Sequence, residues 1–346
     1  MKKRWGIFSI SILLLIMLVA GCSSTTKTEG SGNKEKGEKK EYTIKFAHVV
    51  SASTAKGKAA EKFKELLEQK TDGQIKVEVY PESQLGADQE ITEQMQAGTI
   101  QMNAPFTGVL PSFVKQFEVF DLPFLFKDRE HVKRAVNGKL GEIFNQHLEK
   151  QGLRAIGYWD GGFKHLTNSK HSIKSPDDLN GLKMRVSQSP LLISQFKAMG
   201  AGGVSIDFAE LYTALQTKTV DGQENPLSNI VSKKFYEVQD YLTLSAHGYM
   251  AYPLIISNKF YQDLPANLQK TVDEVAAEVT DWQWGQAASD EEVYMKTLKE
   301  SGIEMTELSN SEKEAFVKAT SKVYDEFKKS VSGSQELLDA IKDAEK

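Results

Sequence analysis

The chain has 346 residues, 43 basic and 47 acidic side chains, a formal net charge of −4 and one cysteine. A mildly acidic balance with no basic block lacks the electrostatic footprint of a nucleic-acid binder. A single thiol excludes an internal disulfide, and the length is more than one small domain needs.

Lys2, Lys3 and Arg4 precede an apolar run over 7–20 that ends in Val19-Ala20-Gly21-Cys22. A basic flank, an apolar segment shorter than the ~20 residues of a spanning helix and small residues before a cut site predict a signal peptide over 1–21. Cys22 stands where bacterial lipoproteins carry the lipidated residue, which predicts a lipid anchor on the extracytoplasmic face of the cell membrane. Residues 23–40 are Ser, Thr, Gly, Lys and Glu with a single Asn and no large apolar side chain, and predict a flexible tether over 22–40.

From 41 onward the pattern is α/β. A strand over 43–49 is followed by a helix capped by Ser53 or Thr54, with Ala59, Phe63, Leu66 and Leu67 on its apolar stripe, and Asp72-Gly73 ends it. Alternation over 74–80, an amphipathic helix over 90–97 and a short strand over 100–104 continue the series. Strand, helix, strand, helix, strand predicts parallel connections, with ligands bound beyond the carboxyl ends of the strands. His48, Gln101 and Asn103 are therefore candidates for a cleft, although polar residues at strand ends also serve as caps. The aromatic stretch over 117–126 reads as core.

Helices over 128–136 and 139–150 lead to a strand over 153–158, and Gly161-Gly162 after it suits a hinge. A second α/β unit follows, with a strand over 182–186 that places Leu182, Met184 and Val186 on one face and Lys183 and Arg185 on the other. Arg185 is then open to a cleft, where a guanidinium matches a carboxylate by two parallel hydrogen bonds. A helix over 191–199, a strand over 203–206 and a helix capped by Asp207 come next. Strands over 241–245 and 251–257 return the chain to the first unit. Leu264-Pro265 opens a long helix reaching towards Glu300, apolar at Leu268, Val272, Val275, Ala276 and Val279 and bent at Gly285.

Three pieces together carry a resemblance: Gly181-Leu182-Lys183-Met184-Arg185-Val186, Phe208-Ala209-Glu210-Leu211-Tyr212, and Asp221-Gly222-Gln223-Glu224-Asn225-Pro226 with the Lys234-Phe235-Tyr236-Glu237-Val238 that follows. The chain from 42 to about 329 resembles the DctP-type solute-binding proteins of tripartite ATP-independent periplasmic (TRAP) transporters. That resemblance implies a two-lobed periplasmic-binding-protein-like fold with a long helix spanning both lobes. On this chain the lobes would be 41–161 plus 250–289 and 162–249 plus 290–346. It implies that Arg185 clamps a ligand carboxylate, Asn225 lies beside it and Phe208 packs on the ligand. Asn225 before Pro226 also reads as a helix N-cap, and Phe208 also reads as core. Lys164 occupies the place of a second arginine in sialic-acid-binding members, so it offers charge without a bidentate clamp, or is simply solvated.

His48, Lys164 and Arg185 together favour an acid with two negative ends, and the pattern is closest to the branch taking malate, succinate or fumarate; other branches take monocarboxylates, sugar acids or aromatic acids. Implied partners are the small carboxylate and the membrane permease subunits, with the receptor a monomer and no nucleic acid bound. No cofactor or metal is predicted, because the six histidines form no His-Glu-x-x-His pair and no Cys/His set. Neither a nucleophile elbow nor a phosphate-cradling glycine loop is present, so an enzyme is not the reading. A structural lipoprotein is the remaining alternative.

Overall fold

The computed structural model describes residues 40–346. The signal peptide, Cys22 and nearly all of the predicted tether lie outside the described residues. Nine strands form one mixed sheet: β1 (Tyr42–Ala47), β2 (Ile75–Tyr80), β3 (Met102–Asn103), β4 (Leu153–Asn168), β5 (Lys183–Val186), β6 (Gly202–Ser205), β7 (Gly222–Asn225), β8 (Tyr241–Ser257) and β9 (Glu304–Glu307). Their order is β2-β1-β3-β8-β4-β7-β5-β6, with β9 added alongside β8. Parallel pairing joins β1 to β2 and β3, and β5 to β6 and β7, as expected from the alternating strands and helices, and also joins β8 to β9, which the sequence reading did not include.

The centre of the sheet differs from the sequence reading. Gly161-Gly162 does not end a strand: β4 runs through it for 16 residues, and β8 is one strand of 17 rather than two. These two antiparallel strands cross from one half of the sheet to the other, paired from Leu153↔Ser257 to Asn168↔Tyr241. The pairing slips between Ala155 and Gly157, Asp160 and Gly162, and Lys164 and Leu166, so the glycines serve as bulges that re-aim the strand. Gly162 has φ +97°, a region that favours glycine.

Each half of the sheet is covered on both faces. In β8, Met250, Tyr252, Leu254 and Ile256 face one apolar layer and Tyr249, Ala251 and Ile255 the other, as period-two alternation requires. Around β5, Leu182, Met184 and Val186 pack on Leu192 and Phe196 of the helix Pro190–Ala198. The helix Ala266–Ser301 is continuous over 36 residues, including Gly285. Its Leu268, Val272, Val275, Ala276 and Val279 bury in the layer under β1 and its Leu298 in that of the second half, so it spans both. Phe117 stacks on Phe144 at 4.1 Å, within the core expected of that aromatic stretch.

The tail divides between the halves. Phe316 joins the layer beneath β5, whereas Val323, Phe327, Leu337 and Ile341 pack in the layer of Phe117 and Phe144. Of the segment 290–346 assigned from sequence to the second lobe, the helix Ser334–Asp343 therefore lies against the first half, because its Leu337, Ala340 and Ile341 repeat at helical spacing and match the stripe of Val132, Ala135 and Val136.

Candidate functional site

A cavity between the two halves encloses about 680 Å³, counting the space at its mouth. Its walls include Val49 and Asp88 from the first half, Arg185, Phe208 and Asn225 from the second, and Tyr252 from β8. Three of the predicted residues, Arg185, Phe208 and Asn225, are thus brought together. The other four do not line it.

Arg185 lies between Val204 of β6 and Gln223 of β7. Its Nε donates to the carbonyl of Ile206 at 2.8 Å, and among the described residues no hydrogen bond from Nη1 or Nη2 is found. The residue is 5% exposed. Burial lowers its pKa to about 10, opposed by Glu224 and Asp207, so it remains charged at neutral pH. A fixed Nε and two uncommitted Nη groups in a cavity wall have the geometry that a planar anion can meet with two parallel hydrogen bonds.

Asn225 ends β7 and is not a helix cap. Pro226 holds the N-cap position of the helix Leu227–Ser232. The Asn225 amide instead donates to Gln223 and accepts from Asn229 Nδ2 at 2.8 Å, which fixes its orientation in the wall. Phe208 stands edge-on to Phe235 at 6.1 Å and also borders the cavity. The predicted cap Asp207 makes no cap hydrogen bond; it accepts from Gln188 Nε2 at 2.6 Å.

Lys164 is not solvated. Its Nζ is 2.7 Å from Glu224 Oε1, with both side chains buried. His247 Nε2 is 2.8 Å from Glu224 Oε2, and Ser245 Oγ is 2.7 Å from His247 Nδ1. Burial keeps His247 below its usual value despite Glu224, so the ring is neutral. A carboxylate only accepts, so Nε2–H donates to Glu224 and Nδ1 accepts from the Ser245 hydroxyl. Burial alone would raise the Glu224 carboxyl, but Lys164 and His247 outweigh it and hold the group at about 2. Nearby, Asp121 accepts from Ser189 Oγ at 2.7 Å while its Oδ1 is buried without a partner, and burial pushes its pKa up to about 7.

His48, Gln101 and Asn103 take different places. Gln101 braces an edge: its Oε1 accepts from the Lys45 amide at 2.9 Å and its Nε2 donates to the Gly98 carbonyl at 3.2 Å. His48 and Asn103 are fully buried and outside the cavity lining, with no partner for either ring nitrogen or for the amide. Burial, and then Lys56, lower His48 to about 3.

Asp88 and Tyr252 were not foreseen as cavity walls, nor Lys56 as a buried cation behind them. The pattern did hold a signal for Lys56, which occupies the stripe position that precedes Ala59, Ala60 and Phe63 on the helix Ala55–Lys70. A lysine on an apolar stripe is a charge directed inward.

Two α/β halves joined by crossing strands, with a buried arginine in the wall of the cavity between them, have the architecture of a solute-binding protein. The chain belongs to the bacterial extracellular solute-binding protein family 7, DctP, whose model matches residues 46–330. It is 40% identical over 303 residues to the C4-dicarboxylate-binding periplasmic protein DctP of Rhodobacter capsulatus, covering 87% of this chain and 90% of that one. Among solved structures it is similar to a TRAP periplasmic solute-binding protein of Sulfurospirillum deleyianum with bound succinate (39% identity, TM-score 0.83, 88% and 99% of the two chains). It is also similar to the sugar-acid-binding DctPAm of Advenella mimigardefordensis in complex with galactonate (34% identity, TM-score 0.86, 88% and 99%). Relatives of these kinds are binding proteins rather than enzymes. Among the described residues no helix is long and apolar enough to cross a membrane, and no cluster of metal-ligating side chains is found.

Proposed function

We propose that this protein is the solute receptor of a TRAP transporter, that it takes a four-carbon dicarboxylate such as malate, succinate or fumarate, and that it hands the ligand to a membrane permease. The observation that carries this reading is Arg185, a buried guanidinium whose Nη groups make no hydrogen bond among the described residues and whose side chain lines the cavity with Asn225 and Phe208. One carboxylate pairs with Arg185, Asn225 adds a hydrogen bond and Phe208 covers the carbon chain. The halves close by flexing at the bulges of β4 and in the helix Ala266–Ser301, the helix Ser334–Asp343 moving with the first half. Closing excludes water and strengthens each polar contact. Cys22 carries the lipid that holds the receptor at the membrane, and the receptor works as one chain.

The galactonate-bound relative supports a second reading, a sugar acid on the same arginine. Thermal unfolding of the soluble chain from residue 41, with mono-, di- and sugar acids, separates the two, because a ligand of the folded state raises the transition by mass action. A shift with malate, succinate or fumarate alone supports the dicarboxylate. A shift with galactonate alone moves the substrate, and silence with every acid in folded, ligand-free protein refutes the receptor.

A further inference from the structure

Among the described residues the cavity has one cation in its wall, Arg185, alongside Asp88, Asp207 and Glu224, yet a diacid brings two negative charges. Lys164, the residue expected to meet the second, is already paired with Glu224. Another buried ammonium lies behind the opposite wall. Lys56 is 2% exposed; its Nζ donates to the carbonyl of Ala104 at 2.8 Å and sits 3.9 Å from the centroid of the Tyr252 ring. Among the described residues no carboxylate lies within 4.0 Å of it. A lysine so buried without an ion pair is under-compensated, since a carbonyl and an aromatic face replace only part of its hydration.

Several polar groups around it are in the same condition. Both nitrogens of His48, both amide atoms of Asn103, the hydroxyl of Thr107 and Asp88 Oδ1 are buried without a partner. Native interiors leave few such groups unsatisfied, and here they gather where β1 and β3 end and the segment after β3 begins. The Phe106 amide donates to Asp88 Oδ2 at 3.1 Å, which ties that segment to a residue of the cavity wall. Tyr252 and Asn229 line both the main cavity and a second crevice into which Lys56 faces, so only a thin wall separates the ammonium from the cavity. Through such a wall, away from water, a unit charge acts over several ångströms.

We infer that Lys56 is the second positive charge of the site and attracts the far carboxylate of the ligand from behind Tyr252. This rests on the dicarboxylate reading and deepens it. Arg185 comes from the second half and Lys56 from the first, so a diacid satisfies a cation in each half and draws them together, whereas a monoacid satisfies one. Asp88 fits the same end. Burial raises its pKa, opposed by Lys56, the Phe106 amide and Asn103, which biases the carboxyl towards the neutral form that does not repel an anion.

The test is calorimetric titration with succinate and with succinamate, in which one carboxylate is replaced by a neutral amide of similar size, in the parent and in Lys56→Gln. The parent is expected to prefer succinate by about 100-fold. In Lys56→Gln that preference falls to within a few-fold, while succinamate affinity changes less than about threefold. A folded Lys56→Gln that keeps the full preference overturns the inference. So does a parent that binds succinate and succinamate equally, which needs no variant and covers the case in which Lys56→Gln does not fold. A parent that takes galactonate and no diacid overturns the dicarboxylate reading itself, and the inference with it.

Discussion

Glu224 Oε1 lies 2.7 Å from Lys164 Nζ, and the two side chains are only 3% and 1% exposed. A pair this deep is poorly replaced by water, so removing one partner leaves an uncompensated charge. Lys164→Met should therefore destabilise the chain by about 3–5 kcal/mol in denaturant unfolding. Lys164→Met combined with Glu224→Gln should recover most of that loss, because no charge is then stranded. Equal instability of the single and double variants would show that Lys164 is not held by this pair.

Arg185 tests the primary contact. Its Nε is tied to Ile206, so its role depends on a planar fork presented in a fixed direction. Arg185→Lys keeps the charge and loses the fork. Calorimetry is expected to show affinity for the dicarboxylate weakened by about 2–5 kcal/mol, with little change in unfolding of the free protein. Retained affinity in Arg185→Lys would mean that charge alone, not bidentate geometry, holds the ligand.

Among the buried groups with shifted pKa values, His165 and Asp121 move stability with pH in opposite directions. Burial lowers His165 from 6.5 to about 3, so between those values the unfolded chain binds the extra proton. Its contribution is fully present above pH 6.5 and is lost as pH falls towards 3. Burial raises Asp121 from 3.8 to about 7, so there the folded chain holds the extra proton and stability falls as pH rises through that window. Asp121→Asn should gain on the parent steadily from pH 4 to 7 and then hold a constant advantage. An advantage independent of pH would show that Asp121 does not titrate in this range.

Much of this arrangement was legible in the chain and some was not, for physical reasons that differ by residue. Period-two alternation placed Arg185 opposite Leu182, Met184 and Val186, and the stripe on the helix Ala266–Ser301 named its buried face. Local pattern could not reveal that β4 and β8 are continuous, because bulged strands interrupt alternation where a turn would also do so. Nor could it separate Lys164 from a ligand contact. The decision depends on Glu224, sixty positions away in sequence, and on β4 and β7 lying side by side. His48 and Asn103 were located at strand ends, but whether a strand end opens into a cavity or is roofed over is settled by segments elsewhere in the chain.

Gly248 gives a final check on the Lys164 pair from its other side. A Cβ at this position would lie 2.5 Å from Lys164 Cε and 3.2 Å from its Nζ, so the glycine creates the space through which the lysine reaches Glu224. Gly248→Ala must displace the ammonium, since the side chain is enclosed and has few other places to go. The expected loss is about 1–3 kcal/mol of stability from overpacking, with a further loss as Glu224 is left without its cation. In a Lys164→Met background the charge effect is absent and a shorter, uncharged tip can yield, so the same substitution should cost markedly less. Additive losses in the two backgrounds would place the strain on other neighbours of Gly248 and detach it from the pair.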